Sequence, residues 1–183
     1  GHRVVALDLP AHGESAGDRV SIPLAARAPR AVQAEVGPLH AAIGHSVGSA
    51  VLVEAMVHGL QVGRAALLAA PSRYADYARG FAAQAGLDAA QTARMLKLLK
   101  EQGVDVEAVA IPLAARALHQ PAFFVHAGDD RTVPFADAQA NVAAWTSARL
   151  LRVDGLGHRR LLQSPEVVAA VCGFVAGTQE GDR

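Results

Sequence analysis

Four short apolar runs recur along the chain, and none of them alternates with polar residues. They lie at residues 4–7, 41–43, 65–70 and 122–125. Uninterrupted runs of this length are typical of strands that are buried on both faces of a parallel sheet. A fifth run, Ala148–Val153, is interrupted by two arginines and predicts a strand nearer an edge of that sheet.

Helical segments separate these predicted strands. Residues 47–58 follow the second run, and residues 134–145 begin with a proline that suits a first helical turn. Ser164, Pro165 and Glu166 combine an N-cap, a first-turn proline and an acidic first turn. Because strand and helix alternate, the pattern predicts an α/β domain built on a mostly parallel sheet flanked by helices.

The alternation stops between residues 71 and 120, where the apolar residues have helical spacing. Asp88 followed by Gln91 is typical of a helix start within this segment. We therefore expect a small helical cap at 71–120, inserted into a single core that is formed by residues 1–70 and 121–183. The polar residues at the end of that core, from 178 onward, are expected to be disordered.

Three aromatic residues of the cap share one helical face. Tyr74, Tyr77 and Phe81 lie at i, i+3 and i+7, ahead of Gly86, which is typical of a helix end. Two roles are open for this face: packing onto the core, or lining a substrate pocket beneath a lid. The alanine-rich composition of the cap predicts that such a pocket is apolar.

Composition limits the partners that the protein can recruit. Lysine plus arginine and aspartate plus glutamate number 17 each, so the net charge is zero and no nucleic-acid partner is expected. The longest apolar stretch, residues 167–177, is about half of the roughly 20 residues that a membrane helix needs, so no membrane insertion is expected. The single cysteine, Cys172, lies in an apolar run that predicts burial, and an unpaired thiol suits a cytoplasmic protein. Nothing in the sequence sets an oligomeric state.

One serine lies in the motif Gly44-His45-Ser46-Val47-Gly48, directly after a predicted strand and before a predicted helix. A tight strand-to-helix turn of this kind projects the serine hydroxyl above the carboxyl ends of the strands, and both flanking positions need small residues. The Val47 N–H at the helix start could stabilise negative charge as one donor of an oxyanion hole. The alternative is a glycine-rich turn with an idle serine.

A serine hydroxyl is a poor nucleophile at neutral pH, so Ser46 needs a histidine base and a group that orients it. Among eight histidines, His158 is the best candidate, because it follows the strand Ala148–Val153 in a glycine-containing loop at the same sheet edge. His45 lies inside the turn, where we expect its ring to be directed away from the serine. The histidines lack a paired metal-ligand spacing, so no metal site is expected.

The orienting acid should follow another strand, and two adjacent aspartates do so. Asp129 and Asp130 come directly after the run at 122–125 and just before Pro134. A carboxylate there lies at the carboxyl end of the sheet, near the predicted serine and histidine. The residues alone leave both aspartates open, and paired aspartates after a strand also serve as turn and cap residues.

These motifs and their order along the chain resemble the α/β-hydrolase superfamily, of the bacterial esterase-like kind. The resemblance rests on VVALDLPAHGES at residues 4–15, the serine turn, the strand at 65–70 ending at Pro71, the stretch from Asp130 to Pro134, and Gly157-His158. It implies an α/β-hydrolase fold and a triad in the order Ser46, Asp130, His158. It selects Asp130 because the family's acid lies four residues before this proline.

The resemblance implies a serine hydrolase that acts on a small-molecule, ester-like substrate through an acyl-enzyme, without a cofactor. Acyl transfer, thioester or amide hydrolysis and cofactor-free peroxidation at the same site are alternatives, as is a non-catalytic hydrolase-like module. Relatives also have earlier strands and a His-Gly loop that supplies a second oxyanion donor. We therefore expect that this N-terminal part of the fold, and that donor, lie upstream of Gly1, since His12-Gly13 belongs to a later strand.

Overall fold

A parallel β-sheet lies at the centre of the fold, and the structure, a computed structural model, describes residues 1–177. The disorder expected from residue 178 onward lies outside the described residues. Within residues 1–177 the strands lie in chain order, and every neighbouring pair is parallel. They are β1 (Ala42–His45), β2 (Ala65–Leu68), β3 (Ala122–Ala127) and β4 (Ala148–Val153).

Helices connect the strands and cover both faces of the sheet. The helices are α1 (Ile22–Ala25), α2 (Arg27–Val36), α3 (Val47–Val57), α4 (Tyr74–Gln84), α5 (Ala89–Glu101), α6 (Ile111–Ala114), α7 (Phe135–Ala144), α8 (Gly157–Arg160) and α9 (Pro165–Ala176). Two 3-10 turns, Ala115–Ala117 and Leu161–Gln163, extend α6 and α8. No helix within residues 1–177 is both long enough and apolar enough to cross a membrane.

The core consists of two apolar layers, one on each face of the sheet. Every residue of β2 and β3 is buried, as their uninterrupted apolar runs predict. On one face Leu67 and Phe124 pack with Trp145 and with α3, and on the other Phe123 packs with Phe174 of α9. The predicted α/β class, a parallel sheet flanked by helices, is confirmed.

Strand β4 is the last strand of the sheet within the described residues, which confirms its predicted place near an edge. The arginines that interrupt its apolar pattern lie over aromatic rings. The Arg149 guanidinium is 5.7 Å from the Phe123 ring centroid and 5.6 Å from that of Phe174, and Arg152 is 5.0 Å from that of Phe135. Cation–π contacts of this kind favour both groups without removing the cation from water.

The first predicted strand does not form in the structure. Residues 4–7 are irregular and Val4 is 85% exposed, because within residues 1–177 no strand pairs with them. The chain instead closes a turn after this segment: the Asp8 carboxylate accepts the Glu14 N–H at 3.0 Å, and the Ser15 hydroxyl donates to the Asp8 carbonyl at 2.8 Å. Cys172, predicted to be buried, is also exposed, because it lies on the outer face of α9.

Residues 71–120 form helices α4, α5 and α6. Asp88 and Gln91 make the predicted capping box at the start of α5. The two ends of the segment lie side by side, since the Tyr74 N–H donates to the Val109 carbonyl at 3.0 Å and the Ile111 N–H to the Ser72 carbonyl at 2.9 Å. These two hydrogen bonds close the base of the segment.

The three aromatic residues of the segment differ in their surroundings. Tyr74 packs against the buried cluster that includes Ile22 and Val109. The Tyr77 hydroxyl donates to the Asp137 carboxylate on α7 at 3.0 Å. Phe81 is 68% exposed. Of the two roles that were open for this face, packing onto the core therefore applies to Tyr74 and Tyr77 and not to Phe81.

Gly44 lets strand β1 and helix α3 approach each other closely. A Cβ atom at Gly44 would lie 2.8 Å from both the Cα and the N of Ser49, whereas a Cβ at Gly48 would meet no atom within 4 Å. Both flanking positions were expected to need small residues. At Gly44 even a Cβ does not fit, because the turn brings this strand residue against the helix backbone, whereas Gly48 has room for a Cβ.

This difference gives a matched pair of variants. Gly44→Ala is expected to lower the free energy of unfolding by about 1–3 kcal/mol or more, since the clash is with backbone that cannot move aside. Gly48→Ala is expected to leave it unchanged or raise it by up to about 1 kcal/mol, because alanine favours a helix over glycine. Urea unfolding of both variants tests this, and equal destabilisation would contradict it.

Candidate active site

Ser46 lies between β1 and α3 in a strained backbone conformation. Its φ is 53° and its ψ is −127°, a region that residues with a Cβ rarely adopt and that costs about 1–3 kcal/mol. The Ser46 N–H donates to the Leu68 carbonyl of β2 at 2.8 Å, which holds the turn to the sheet. The strand-to-helix turn predicted around Ser46 is thus present.

His158 contacts Ser46 and Asp130 through its two ring nitrogens. The distance from His158 Nε2 to Ser46 Oγ is 3.0 Å, and the distance from His158 Nδ1 to Asp130 Oδ2 is 2.7 Å. Nδ1 carries the proton that Asp130 accepts, so Nε2 is free to accept the serine proton. The structure therefore brings the three predicted side chains into one hydrogen-bonded chain, although they follow three different strands, β1, β3 and β4.

Asp130 is buried, and its other carboxylate oxygen accepts two backbone hydrogen bonds. Oδ1 accepts the Thr132 N–H at 2.8 Å and the Val133 N–H at 2.9 Å. Burial acts to raise the pKa of Asp130, but the backbone donors and the His158 ring outweigh it, so the pKa lies below its ordinary value. The carboxylate stays charged and fixed in orientation.

Asp129 occupies a different position from its neighbour. It is exposed, and its Oδ1 accepts the Gly157 N–H at 3.2 Å. Asp129 therefore contacts the loop that carries His158, whereas Asp130 contacts the imidazole. The geometry separates two residues that the residue pattern alone left equivalent.

The Val47 N–H lies at the start of α3, next to Ser46. Within residues 1–177 it donates to no other group of the chain, so it is free to donate to an oxyanion. The His12 N–H is not available for the same purpose, because it donates to the Leu9 carbonyl at 2.9 Å.

An open cleft of about 910 Å³ contains Ser46 and His158. The residues that line it are His12, His45, Ser46, Thr132, Leu156, Gly157, His158, Arg159 and Arg160. Most of them are polar, and none belongs to 71–120. At its base the cap packs beside α1 and α7.

Several residues of the cleft were missed from the sequence. His12 and Arg159 follow no catalytic pattern, and only the fold brings them to Ser46. His45 was expected to point away from the serine, yet its ring packs against that of His158, with the centroids 4.9 Å apart. Its position beside Ser46 in the motif is the one local signal that could have found it. Within residues 1–177, no group of three or more His, Cys, Asp or Glu side chains could hold a metal ion.

The fold and the site together define an α/β hydrolase: a parallel sheet, a serine on a strand-to-helix turn, and a histidine and an acid from later loops. A family model described as "Alpha/beta hydrolase family" matches residues 1–171. The chain belongs to the alpha/beta hydrolase family. No curated protein matches it in sequence.

Solved structures share this fold at low sequence identity. The esterase EaEST from Exiguobacterium antarcticum has a TM-score of 0.70 at 13% identity, covering 92% of this chain and 80% of that one. MGS-M2, an alpha/beta hydrolase enzyme from a Medee basin deep-sea metagenome library, has a TM-score of 0.68 at 12% identity, covering 96% and 80%. The esterase RhEst1 from Rhodococcus sp. ECU1013 has a TM-score of 0.66 at 17% identity, covering 94% and 79%. At these identities the likeness establishes the fold.

The lowered pKa of Asp130 predicts a pH dependence of stability. Because the folded pKa lies below the ordinary value of 3.8, the carboxylate stabilises the fold above that pH, and the contribution is lost as the pH falls through the folded pKa. Between about pH 5 and pH 2, the free energy of unfolding should therefore fall less steeply in Asp130→Asn than in the wild type. Urea unfolding at several pH values measures this, and parallel curves would contradict it.

Proposed function

We propose that this protein is a serine hydrolase that acts on small-molecule substrates with an ester-like carbonyl, through a Ser46-His158-Asp130 triad and an acyl-enzyme intermediate. The observation that carries the proposal is the continuous hydrogen-bonded chain from Ser46 Oγ through both nitrogens of His158 to Asp130. Nucleophile, base and orienting acid are arranged in this way in serine hydrolases of unrelated folds.

The reaction follows from the roles of these atoms. His158 Nε2 removes the proton from Ser46 Oγ as the oxygen attacks the carbonyl carbon, and the ring then gives that proton to the departing alcohol. Asp130 holds the tautomer that leaves Nε2 unprotonated and stabilises the imidazolium while it exists. Water attacks the acyl-enzyme in the second half of the reaction, with His158 as its base. These steps require no metal or organic cofactor.

The Val47 N–H is assigned to the developing oxyanion. It lies at the start of an eleven-residue helix, where the helix dipole favours negative charge, and it follows the nucleophile directly. A second donor, from the part of the fold that the family places before Gly1, completes this hole in the proposal. Loss of one such donor in other enzymes lowers turnover by about 10²–10³-fold.

The alternatives differ in what the geometry leaves unexplained. A non-catalytic module would not need Ser46 in a strained conformation with its hydroxyl bonded to a histidine. Acyl transfer, thioester or amide hydrolysis and cofactor-free peroxidation share the triad and differ in the group that leaves or attacks. Of these we propose ester hydrolysis.

We also propose a cytoplasmic location, because Cys172 is an exposed free thiol, which suits a reducing compartment.

A fluorophosphonate probe tests the nucleophile. Because such probes react only with an activated serine, the wild type should be labelled covalently at Ser46, and Ser46→Ala should not be labelled. Labelling of His158→Ala should fall sharply, since the base is lost. Gel fluorescence and peptide mass spectrometry read the result, and a folded wild type that takes up no label would refute the proposal.

The two aspartates give a second, matched test. In Asp130→Asn an amide N–H faces His158 Nδ1, which forces the wrong tautomer, and kcat for a p-nitrophenyl ester should fall by about 10³–10⁴-fold. In Asp129→Asn the amide oxygen can still accept the Gly157 N–H, so kcat should stay within about threefold of the wild type. If both variants lost activity equally, Asp130 would not be the orienting acid.

A further inference from the structure

His158 lies in the short helix α8, and the glycine-containing segment around it is held by several polar contacts. Gly155 and Gly157 have φ values of +75° and +60°, a region that favours glycine. Asp129 accepts the Gly157 N–H at 3.2 Å, and Arg160 Nη2 donates to the Gly155 carbonyl at 2.7 Å. Both contacts are made at glycine residues and not at His158 itself.

His45 makes the contact that reaches His158 directly. It is the last residue of β1 and precedes Ser46 in the chain. Its Nε2–H donates to the backbone carbonyl of His158 at 2.8 Å, and the two rings pack with an interplanar angle of 45°. One residue thus joins the strand that presents the nucleophile to the residue that supplies the base.

The protonation state of His45 suits this contact. The acceptor is a carbonyl oxygen, so Nε2 must carry a proton. Burial lowers the pKa of His45, and it outweighs the hydrogen bond to the His158 carbonyl and the charge of Asp130, which both act to raise it. The ring is therefore neutral near pH 7 and adds no positive charge beside His158 when that ring takes the serine proton.

We propose that His45 is a positioning residue, which fixes the backbone of His158 and so keeps His158 Nε2 within hydrogen-bond distance of Ser46 Oγ. The inference rests on the proposed hydrolase function for its kinetic consequence. Its structural part, the restraint of the His158 ring, is independent of any activity. Displacements of about 1 Å in a catalytic group can lower turnover by about 10²-fold, so loss of one restraint is measurable.

The test compares two histidines that make the same kind of bond. His45→Leu removes the N–H donor and keeps an apolar side chain of similar bulk, while His45→Gln keeps a donor at a similar reach. The control is His40→Leu, because His40 Nε2 also donates to a backbone carbonyl, that of Val175 at 2.7 Å, outside the cleft. Thermal unfolding shows whether each variant folds.

We expect His45→Leu to lower kcat for a p-nitrophenyl ester by about 10–100-fold with little change in KM, His45→Gln to recover most of that loss, and His40→Leu to keep the wild-type kcat. In proton NMR spectra, the His158 Nδ1–H resonance should exchange faster with solvent in His45→Leu than in the wild type or in His40→Leu.

Several outcomes would overturn the inference. They are an unchanged kcat in folded His45→Leu, a rise in KM alone, which would make His45 a substrate contact, and equal loss in His40→Leu. If the wild type neither hydrolyses esters nor binds the fluorophosphonate probe, the proposed function fails, and the NMR comparison still decides whether His45 restrains the His158 ring.

Discussion

The close approach of strand β1 to helix α3 at Gly44 is the constraint on which the site depends. With no side chain at Gly44, the backbone of Ser49 can lie against the strand, and the turn between them becomes tight enough to hold Ser46 at a positive φ. The Ser46 N–H then reaches the Leu68 carbonyl on β2. β2 pairs with β3, and β3 pairs with β4. The register of the sheet therefore fixes where the segments that carry Asp130 and His158 leave their strands.

The site also shows how backbone groups set the chemistry of side chains. Two N–H groups of its own loop bind Oδ1 of Asp130, so the carboxylate stays charged despite burial, and Oδ2 accepts the hydrogen bond from His158. Asp129, one residue earlier, has its carboxylate at the surface and bonds to the Gly157 N–H. One aspartate thus binds the His158 ring and the other binds the backbone at Gly157. The backbone geometry of the two positions makes this difference.

Much of this arrangement could be predicted from the sequence, because the signals are local. Uninterrupted apolar runs indicate β2 and β3, and Ser164 with Pro165 indicates the start of α9. Ser46 and His158 each follow a strand, so their common edge follows from parallel pairing.

Properties that depend on distant contacts could not be predicted in the same way. Residues 4–7 have the composition of a strand but no partner within residues 1–177, and a strand exists only when it is paired. The contact of His45 with His158 joins residues 113 positions apart. The lining of the cleft likewise depends on which loops the fold brings together, and no local pattern marks Arg159.

The arginines of β4 have a consequence for the behaviour of the protein at high concentration. An open sheet edge offers unpaired N–H and C=O groups to any other strand, and charged side chains on the edge oppose that pairing. Arg149 and Arg152 place such charges on β4 and are held there by aromatic rings. Addition of a further strand at the β4 edge is therefore opposed by two positive charges that the neighbouring rings keep in place.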